Sequence, residues 1–247
     1  MANSTGDGAR WLDVAPERLA GWLESFGKRH GEAVAEIGPA NAAPGSPAAG
    51  RDEQAAGRSP SGAGASVVVF RAADGAVAEC HVPFPPLQAG GAGPSAAEIA
   101  AHASADRTVG VLLVRLGGYA AGVFAGEPPR LVASKVGARL VHGRSAAGGT
   151  SQQRFARRRE KQANEALGAA ADTAAAVFAP YAGKLDAVVL GGDRRAIGGV
   201  RDDSRLRPYL DLAVDRFLTV PDPRLVVLRG TPRLFRAVRV RLTGPSG

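Results

Sequence analysis

The stretch HGRSAAGGTSQQRFARRREKQ, residues 142–162, gives the strongest indication of how the chain is organised. Small residues fill its first half, and its second half is strongly basic. Gly148 and Gly149 let the backbone adopt positive φ and approach another surface closely. Ser151 suits a helix N-cap, and a helical pattern runs from it to about Phe178. The stretch therefore predicts a flexible glycine loop followed by a long helix.

That helix has two different faces. Four cations fall on one narrow stripe at i, i+3, i+4, i+7 spacing, here called the basic stripe: Arg154, Arg157, Arg158 and Lys161. A core-facing side gathers Phe155, Ala163, Ala166, Leu167, Ala170, Ala174, Val177 and Phe178. Cations near a helix N-terminus oppose the macrodipole and cost about 0.3–1 kcal/mol each. A phosphate partner would offset this cost; the alternative is a solvated charged face.

Composition narrows the class of protein. With 247 residues, 45% of them hydrophobic, the chain can build a sizeable core. Its net charge of +8 indicates a polyanionic partner. The single cysteine, Cys80, excludes an intrachain disulfide and a structural thiolate zinc site, and the four histidines lack metal-ligand spacing. We find no membrane-length apolar run and no signal-peptide pattern, so we expect a cytoplasmic protein.

The first half of the chain predicts one helix and a series of strands. The helix covers Pro16–His30, within a helical segment at 10–37 that we expect to pack on the main domain. Residues 38–64, rich in Ala, Gly, Pro and Ser, predict a disordered linker or an expanded loop. A turn signal at Asp74-Gly75 joins predicted strands at 66–71 and 76–82. A second turn signal at Gly117-Gly118 joins predicted strands at 109–116 and 119–124, and another strand is predicted at 131–141. This succession predicts a meander.

The chain after the long helix predicts a strand–helix–strand layer. LDAVVL at 185–190 is typical of a strand covered on both faces. The next residues, Gly191-Gly192-Asp193, indicate a plain strand–helix turn, because neither G-x-G-x-x-G nor a Walker lysine is present. Further predictions are helices at 194–202 and 206–214 and strands at 216–220 and 233–242. The expected fold class is α/β (α+β), a mixed, largely antiparallel sheet with packed helices, with residues 65–243 as the main domain.

Gln152 carries the chemical hypothesis. Its neutral amide cannot act as a general acid or base, but it can orient a water by accepting with its carbonyl and donating with its NH2. Such positioning suffices for an activated bond such as the aminoacyl ester of tRNA, with proximity and a preorganised polar site supplying the rest. Two glycines, a glutamine and a basic helix together indicate an esterase that works inside a nucleic acid cavity.

The segment GRSAAGGTSQQRFARRREKQANEAL, residues 143–167, resembles the release-factor-like peptidyl-tRNA hydrolases of ribosome quality control. These are relatives of the catalytic middle domain of eukaryotic-type class I release factors. DGAVAECHVPFPP, VLLVRLGGYA and LDAVVLGGDRRA fit the compact actinobacterial branch of that family. Over about residues 66–242 the resemblance implies the fold of that middle domain. It also implies hydrolysis of peptidyl-tRNA on the large ribosomal subunit, without a metal or organic cofactor. We expect a monomer.

The resemblance also implies site residues, those that match the family motif: Gln152 for the water-positioning glutamine, Gly148 and Gly149 for the loop glycines, and Arg144 for a basic residue before the loop. The release-factor motif places its glutamine directly after two glycines, whereas Thr150 and Ser151 intervene here. Gln153 therefore stays open as the working residue, although Gln152 is preferred. The alternative function is a non-catalytic protein that binds ribosomal or other structured RNA through the basic stripe.

Overall fold

The computed structural model describes residues 3–4, 9–38, 67–87, 94–115, 117–138 and 151–244, without the side chains of 3–4, 38 and 151–160. It divides the chain into two compact units, one of residues 1–104 with 236–247 and one of residues 105–235. The predicted domain boundaries, 10–37, 38–64 and 65–243, stay a prediction. The predicted linker between them lies almost wholly outside the described residues.

The described residues form eleven strands and seven α-helices. The strands are β1 (Asn3–Ser4), β2 (Arg10–Val14), β3 (Ala33–Gly38), β4 (Val67–Ala72), β5 (Val77–His81), β6 (Val109–Arg115), β7 (Gly118–Ala125), β8 (Arg130–Ala138), β9 (Ala187–Gly192), β10 (Ala213–Leu218) and β11 (Val238–Thr243). The helices are α1 (Pro16–His30), α2 (Ala96–Ser104), α3 (Ser151–Phe178), α4 (Arg194–Arg201), α5 (Arg207–Leu210), α6 (Leu225–Arg229) and α7 (Pro232–Phe235). None of these helices, the 28-residue α3 included, is long and apolar enough to cross a membrane.

The described part of the first unit contains a six-stranded antiparallel sheet in the order β1-β2-β11-β5-β4-β3. α1 and α2 bury Leu19, Phe26 and Ile99 against sheet residues such as Val68 and Val240. Fully burying one such side chain stabilises the fold by about 1.5–3 kcal/mol. The sheet and its two helices therefore share one hydrophobic core.

The predicted span of α1 is confirmed. Strong local signals mark both ends of this helix. Pro16 occupies the first turn, and the chain leaves the helix at Gly31 with φ +89°. Helix α2 was missed, although its signal is present. Ser95 and Glu98 form a capping box, in which the Ser95 amide donates to Glu98 Oε2 (2.8 Å) and the Glu98 amide donates to Ser95 Oγ (3.2 Å).

Two predictions about the strands are wrong. The 10–37 segment is not only helical, because α1 is flanked by β2 and β3, which both join the first sheet. The predicted meander is divided between two sheets, since the β4–β5 hairpin belongs to the first sheet and β6, β7 and β8 to the second. Both errors concern strand pairing, which depends on partners far away in the sequence.

The described part of the second unit contains a five-stranded mixed sheet in the order β10-β9-β6-β7-β8. β10, β9 and β6 are parallel, and β6, β7 and β8 are antiparallel neighbours. One face packs against α3 and α4 through Ala170, Phe178 and Ile197. Elsewhere in the unit, the rings of Phe124 on β7 and Phe235 on α7 meet edge to face with their centroids 5.8 Å apart, so α7 also packs on β7. The expected mixed, largely antiparallel sheet with packed helices is confirmed.

The predicted elements at the C-terminus need correction. The helix expected at 206–214 ends at Leu210, and β10 begins at Ala213 instead of 216. The strand expected at 233–242 begins at Val238, because α7 occupies the residues before it, and α6 was not predicted at all. Short apolar runs such as LVVLR at 225–229 suit a helix and a strand equally well, and only tertiary packing decides between them.

Candidate functional site at the carboxyl edge of the second sheet

One edge of the second sheet, here called the carboxyl edge, collects the ends of several strands. The parallel strands β6, β9 and β10 all finish there, with Leu113 and Leu218 both beside Gly191. β8 finishes there too, because its last residue, Ala138, pairs with Gly118 at the start of β7. The chain then passes through residues 139–150, outside the described residues, to the start of α3. In open α/β sheets, ligands bind outside this edge.

Helix α3 is longer than the sheet that it covers. Its last residue, Phe178, packs against Gly110 near the start of β6 at the opposite edge, where a Cβ would lie 3.2 Å from Phe178 Cε1. The 28 residues of α3 span about 42 Å at ~1.5 Å each, whereas the eight residues of β7 span about 27 Å at ~3.4 Å each. About ten residues of α3 therefore project beyond the carboxyl edge. We call Ser151–Lys161 the projecting segment.

Burial along α3 agrees with this geometry. Ala170, Ala174 and Phe178 are each 0% exposed, whereas Lys161 is exposed. The core-facing side predicted for the second half of the helix is thus confirmed, and Phe155 lies among the side chains that are not described. The C-terminal half of α3 therefore packs into the core of the second unit, and the helix is exposed at Lys161.

The predicted site residues divide into two groups. Positions of the projecting segment include Gln152 and the whole basic stripe, Arg154, Arg157, Arg158 and Lys161. Arg144, Gly148 and Gly149 lie outside the described residues. The stretch that contains these three joins Ala138, at the carboxyl edge, to Ser151 at the tip of the projecting segment.

Helical register separates position 152 from the basic stripe. Position 152 lies 18 residues before Ala170, about five full turns at 3.6 residues each, so both positions share the face that packs on the sheet. Lys161 lies nine residues before Ala170, about two and a half turns, and therefore on the opposite face. Position 153 is rotated by about 100° from position 152. The two glutamine positions therefore lie on different faces of α3, and the choice of Gln152 over Gln153 stays a prediction.

The turn between β9 and α4 is structural, as predicted. A Cβ on Gly192, whose φ is +102°, would overlap the carbonyl oxygen of Val114. The Asp193 amide donates to that same oxygen (2.8 Å), and Asp193 Oδ1 accepts from the Ala196 amide (2.9 Å) as the N-cap of α4. Asp193 is therefore engaged inside the chain through both its amide and Oδ1, as in a plain strand–helix turn.

Two contacts at the carboxyl edge had no signal in the sequence. Arg115 donates through Nη1 to the carbonyl oxygen of Val220 (2.8 Å), and its Nε lies 3.8 Å from Asp222 Oδ1. This pair holds the segment after β10 against the end of β6. On β7, the ring of Tyr119 fills the space that a side chain at Gly137 would take, one residue before β8 ends. Both contacts brace the strand ends that border the candidate site.

The described residues offer little other chemistry. They contain no group of three or more His, Cys, Asp or Glu side chains arranged to hold a metal ion. Cys80 is buried, and burial raises the pKa of its thiol to about 12, so it carries no thiolate nucleophile at neutral pH.

Comparisons with known proteins bear on the same residues. Residues 107–241 match the family model described as Actinobacteria/chloroflexi VLRF1 release factor, acVLRF1. No curated protein sequence matches the chain significantly. Because the matched residues include all of α3 and most of the second unit, the match covers the candidate site described above.

Three solved structures are similar to the chain. An archaeal translation termination factor, aRF1, is 10% identical over 67% of this chain and 51% of that one, with a TM-score of 0.35. The Vms1 mitochondrial localization core is 11% identical over 74% and 77% (TM-score 0.37), and a structure titled as an archaeal protein is 13% identical over 67% and 52% (TM-score 0.36). The chain spans about half the length of the archaeal termination factor. Since the family model covers more than half of this chain, the protein belongs to the Actinobacteria/chloroflexi VLRF1 release factor family.

Proposed function

We propose that this protein hydrolyses the ester between nascent peptide and tRNA on the large subunit of stalled ribosomes, with a water positioned by Gln152. Membership of a release-factor family supports a role at the ribosome. The single observation that carries the proposal is the projecting segment of α3. A slender helix that extends about 15 Å beyond its domain suits entry into a narrow RNA cavity, where a broad domain surface cannot follow.

The two faces of the projecting segment suit two tasks. Position 152 shares the sheet-packing face, and the basic stripe lies on the opposite face. In our proposal the stripe neutralises phosphates of tRNA or ribosomal RNA along the cavity wall. Gln152 then meets the ester from the other side of the helix, so that the reacting amide is not engaged by the phosphates that hold the helix.

The proposed chemistry needs only a positioned water. The amide carbonyl of Gln152 accepts from the water and its NH2 group can donate to it, so that the water oxygen is held near the ester carbonyl. The water oxygen bonds to the ester carbonyl carbon as the C–O bond to the tRNA breaks. One water proton goes to the departing tRNA oxygen, which becomes a hydroxyl, and the other leaves when the new peptide carboxyl group ionises. Gly148 and Gly149 let the backbone come close to the ester, and Arg144 contributes positive charge before the loop.

We also propose that the enzyme acts in the cytoplasm, as a monomer and without a cofactor. The ribosome is then its only required partner, and peptidyl-tRNA its substrate. The alternative, a non-catalytic RNA-binding protein, uses the basic stripe but has no need of a glutamine on the other face.

The test uses ribosomes stalled without a stop codon that carry a labelled nascent peptide. Adding the purified protein should release free peptide and leave deacylated tRNA, and sedimentation of the same samples reports binding to the ribosome. Peptide that stays attached to tRNA while the protein sediments with the ribosomes would contradict hydrolysis and favour the RNA-binding alternative. Free peptidyl-tRNA as a parallel substrate shows whether the ribosome is required.

A further inference from the structure

Helix α4 carries a row of arginines that the proposed hydrolysis does not use. Its inner face is formed by Ala196, Ile197 and Val200, all buried in the core of the second unit. Its outer face carries Arg194, Arg195 and Arg201, all of them exposed. The row runs along the helix from its first residue to its last, a distance of about 10 Å.

These arginines lack acidic partners within the described part of the chain. Arg195 and Arg201 form no ion pair there, and the guanidinium of Arg194 lies 4.4 Å from the ring centroid of Phe217 rather than against a carboxylate. The stack on Phe217 restrains the Arg194 side chain and leaves the N–H groups at the edge of its guanidinium plane free to donate. The outer face of α4 therefore presents uncompensated positive charge.

The nearby Arg205 shows the opposite arrangement. Its guanidinium donates to Asp172 Oδ1 (2.7 Å) and to Asp203 Oδ2 (2.6 Å), so its charge is neutralised within the chain. The hydrogen bond from Arg205 also lowers the pKa of the Asp203 carboxyl below its ordinary value. Exposure alone therefore does not leave an arginine unpaired in this unit.

The outer face of α4 also lacks ordinary helix stabilisation. Arg194 and Arg195 stand at the N-terminal end, where cations oppose the macrodipole. Between them and Arg201 lies Gly198, exposed and with open space where a Cβ would be. An alanine there would stabilise the helix by about 1 kcal/mol. Flat backbone between unpaired arginines suits close approach by a large anionic surface.

The position of α4 beside α3 indicates which surface this is. The two helices pack together, with Leu167 of α3 against Gly199 of α4. α4 begins at the carboxyl edge, beyond which the first turns of α3 project. The positions of the basic stripe lie on the face of α3 opposite the one that packs on the sheet, and Arg195 and Arg201 are exposed on α4. Arginine is suited to phosphate, because its planar fork can donate two parallel hydrogen bonds to phosphate oxygens.

We propose that the outer face of α4 is a second RNA-binding surface, which holds the phosphate backbone of structured RNA through Arg194, Arg195 and Arg201. The proposal rests on the proposed function, in that the RNA is ribosomal RNA or tRNA met while α3 enters its cavity. The α4 surface then sets the affinity and orientation of the second unit on the RNA, whereas Gln152 acts in the chemical step.

The test compares two variants that remove exposed arginines from the same region. The double variant Arg195→Gln/Arg201→Gln removes unpaired charge, and Arg205→Gln, the matched control, removes an arginine that Asp172 and Asp203 already neutralise. Binding to isolated large subunits and to isolated tRNA is measured over a series of salt concentrations. Thermal unfolding of each variant checks that the fold is intact, and Arg195→Lys/Arg201→Lys restores the charge.

For the double variant, the slope of log affinity against log salt should become shallower by up to about 1.4–1.8, since each of two lost phosphate contacts removes roughly 0.7–0.9. The control and the lysine variant should keep the wild-type slope. A change with large subunits alone identifies ribosomal RNA as the source of the phosphates, and a change with tRNA identifies tRNA. An unaltered slope in the double variant with both RNAs, or an equal change in Arg205→Gln, overturns the proposal.

Failure of this proposal is distinguishable from failure of the hydrolase proposal. Peptide release by the wild-type protein is measured separately, at protein concentrations that saturate the stalled ribosomes, so that it reports on hydrolysis and not on affinity. A shallower slope combined with wild-type protein that releases no peptide would keep the α4 surface and reject hydrolysis. Peptide release by the wild-type protein, combined with an unaltered salt slope in the double variant, would keep hydrolysis and reject the α4 surface.

Discussion

Replacing Gly192 by alanine tests the turn that ends the carboxyl edge. Gly192 has φ +102°, and an added Cβ would overlap the Val114 carbonyl oxygen, which accepts the Asp193 amide at 2.8 Å. Strain at such a φ costs about 1–3 kcal/mol for a non-glycine residue. To avoid the overlap, the end of β9 must move away from β6, which breaks the hydrogen bond from the Asp193 amide to Val114, at a further cost of about 1–3 kcal/mol. We therefore expect Gly192→Ala to lose about 2–6 kcal/mol of stability.

The matched control is Gly198→Ala, in the helix that follows the same turn. Gly198 has open space at its Cβ position, so alanine should stabilise the protein by up to about 1 kcal/mol. Urea and thermal unfolding, followed by circular dichroism, measure both variants. At roughly 2–4 °C per kcal/mol, Gly192→Ala should lower the Tm by about 4–24 °C. A Gly192→Ala protein as stable as Gly198→Ala would refute the geometry described for this edge.

Two further predictions concern the basic stripe and pH. Replacing Arg157 and Arg158 by Gln should make the salt dependence of ribosome binding shallower, by roughly 0.7–0.9 per contact. The Tm of this double variant should stay the same or rise slightly, because two cations that oppose the helix dipole are removed. An unchanged salt slope would show that the stripe is only a solvated charged face. The pKa of Asp74 is lowered, chiefly by the hydrogen bond from the Ala76 amide. Ionised Asp74 therefore stabilises the fold above the ordinary carboxyl pKa, and this contribution is lost as pH falls through the folded-state pKa. Thermal unfolding between pH 2.5 and 6 should show a Tm advantage of the wild type over Asp74→Asn that disappears in acid; an advantage independent of pH would contradict the assignment.

Elements with strong local signals could be predicted, and elements defined by distant partners could not. α1 and α3 matched their predicted spans, because Pro16 and Gly31 bound one helix and a long apolar period marks the other. β11 was expected near the C-terminus, but nothing local indicates that it lies between β2 and β5 at the centre of the first sheet. A five-residue strand such as β2 is too short for its alternation to stand out.

The candidate site shows the same division. The basic stripe and Gln152 could be recognised from spacing and composition along one helix. Their relation to the sheet required the structure, because only the contact between Phe178 and Gly110 shows how far α3 projects. The bond from Arg115 to Val220 joins residues 105 positions apart, a separation at which the sequence carries no periodic signal.

The rate of peptide release by Gln152→Ala is the measurement that tests the central proposal most directly. It is made in a single turnover on saturated, stalled ribosomes, beside Gln153→Ala, whose position is rotated by about 100° on the same helix. Loss of one positioned polar group typically costs about 10²–10³ in rate. We predict that loss for Gln152→Ala, with wild-type ribosome binding, and a rate near wild type for Gln153→Ala. The opposite result would assign the water to Gln153, and full activity in both variants would contradict a glutamine-positioned water.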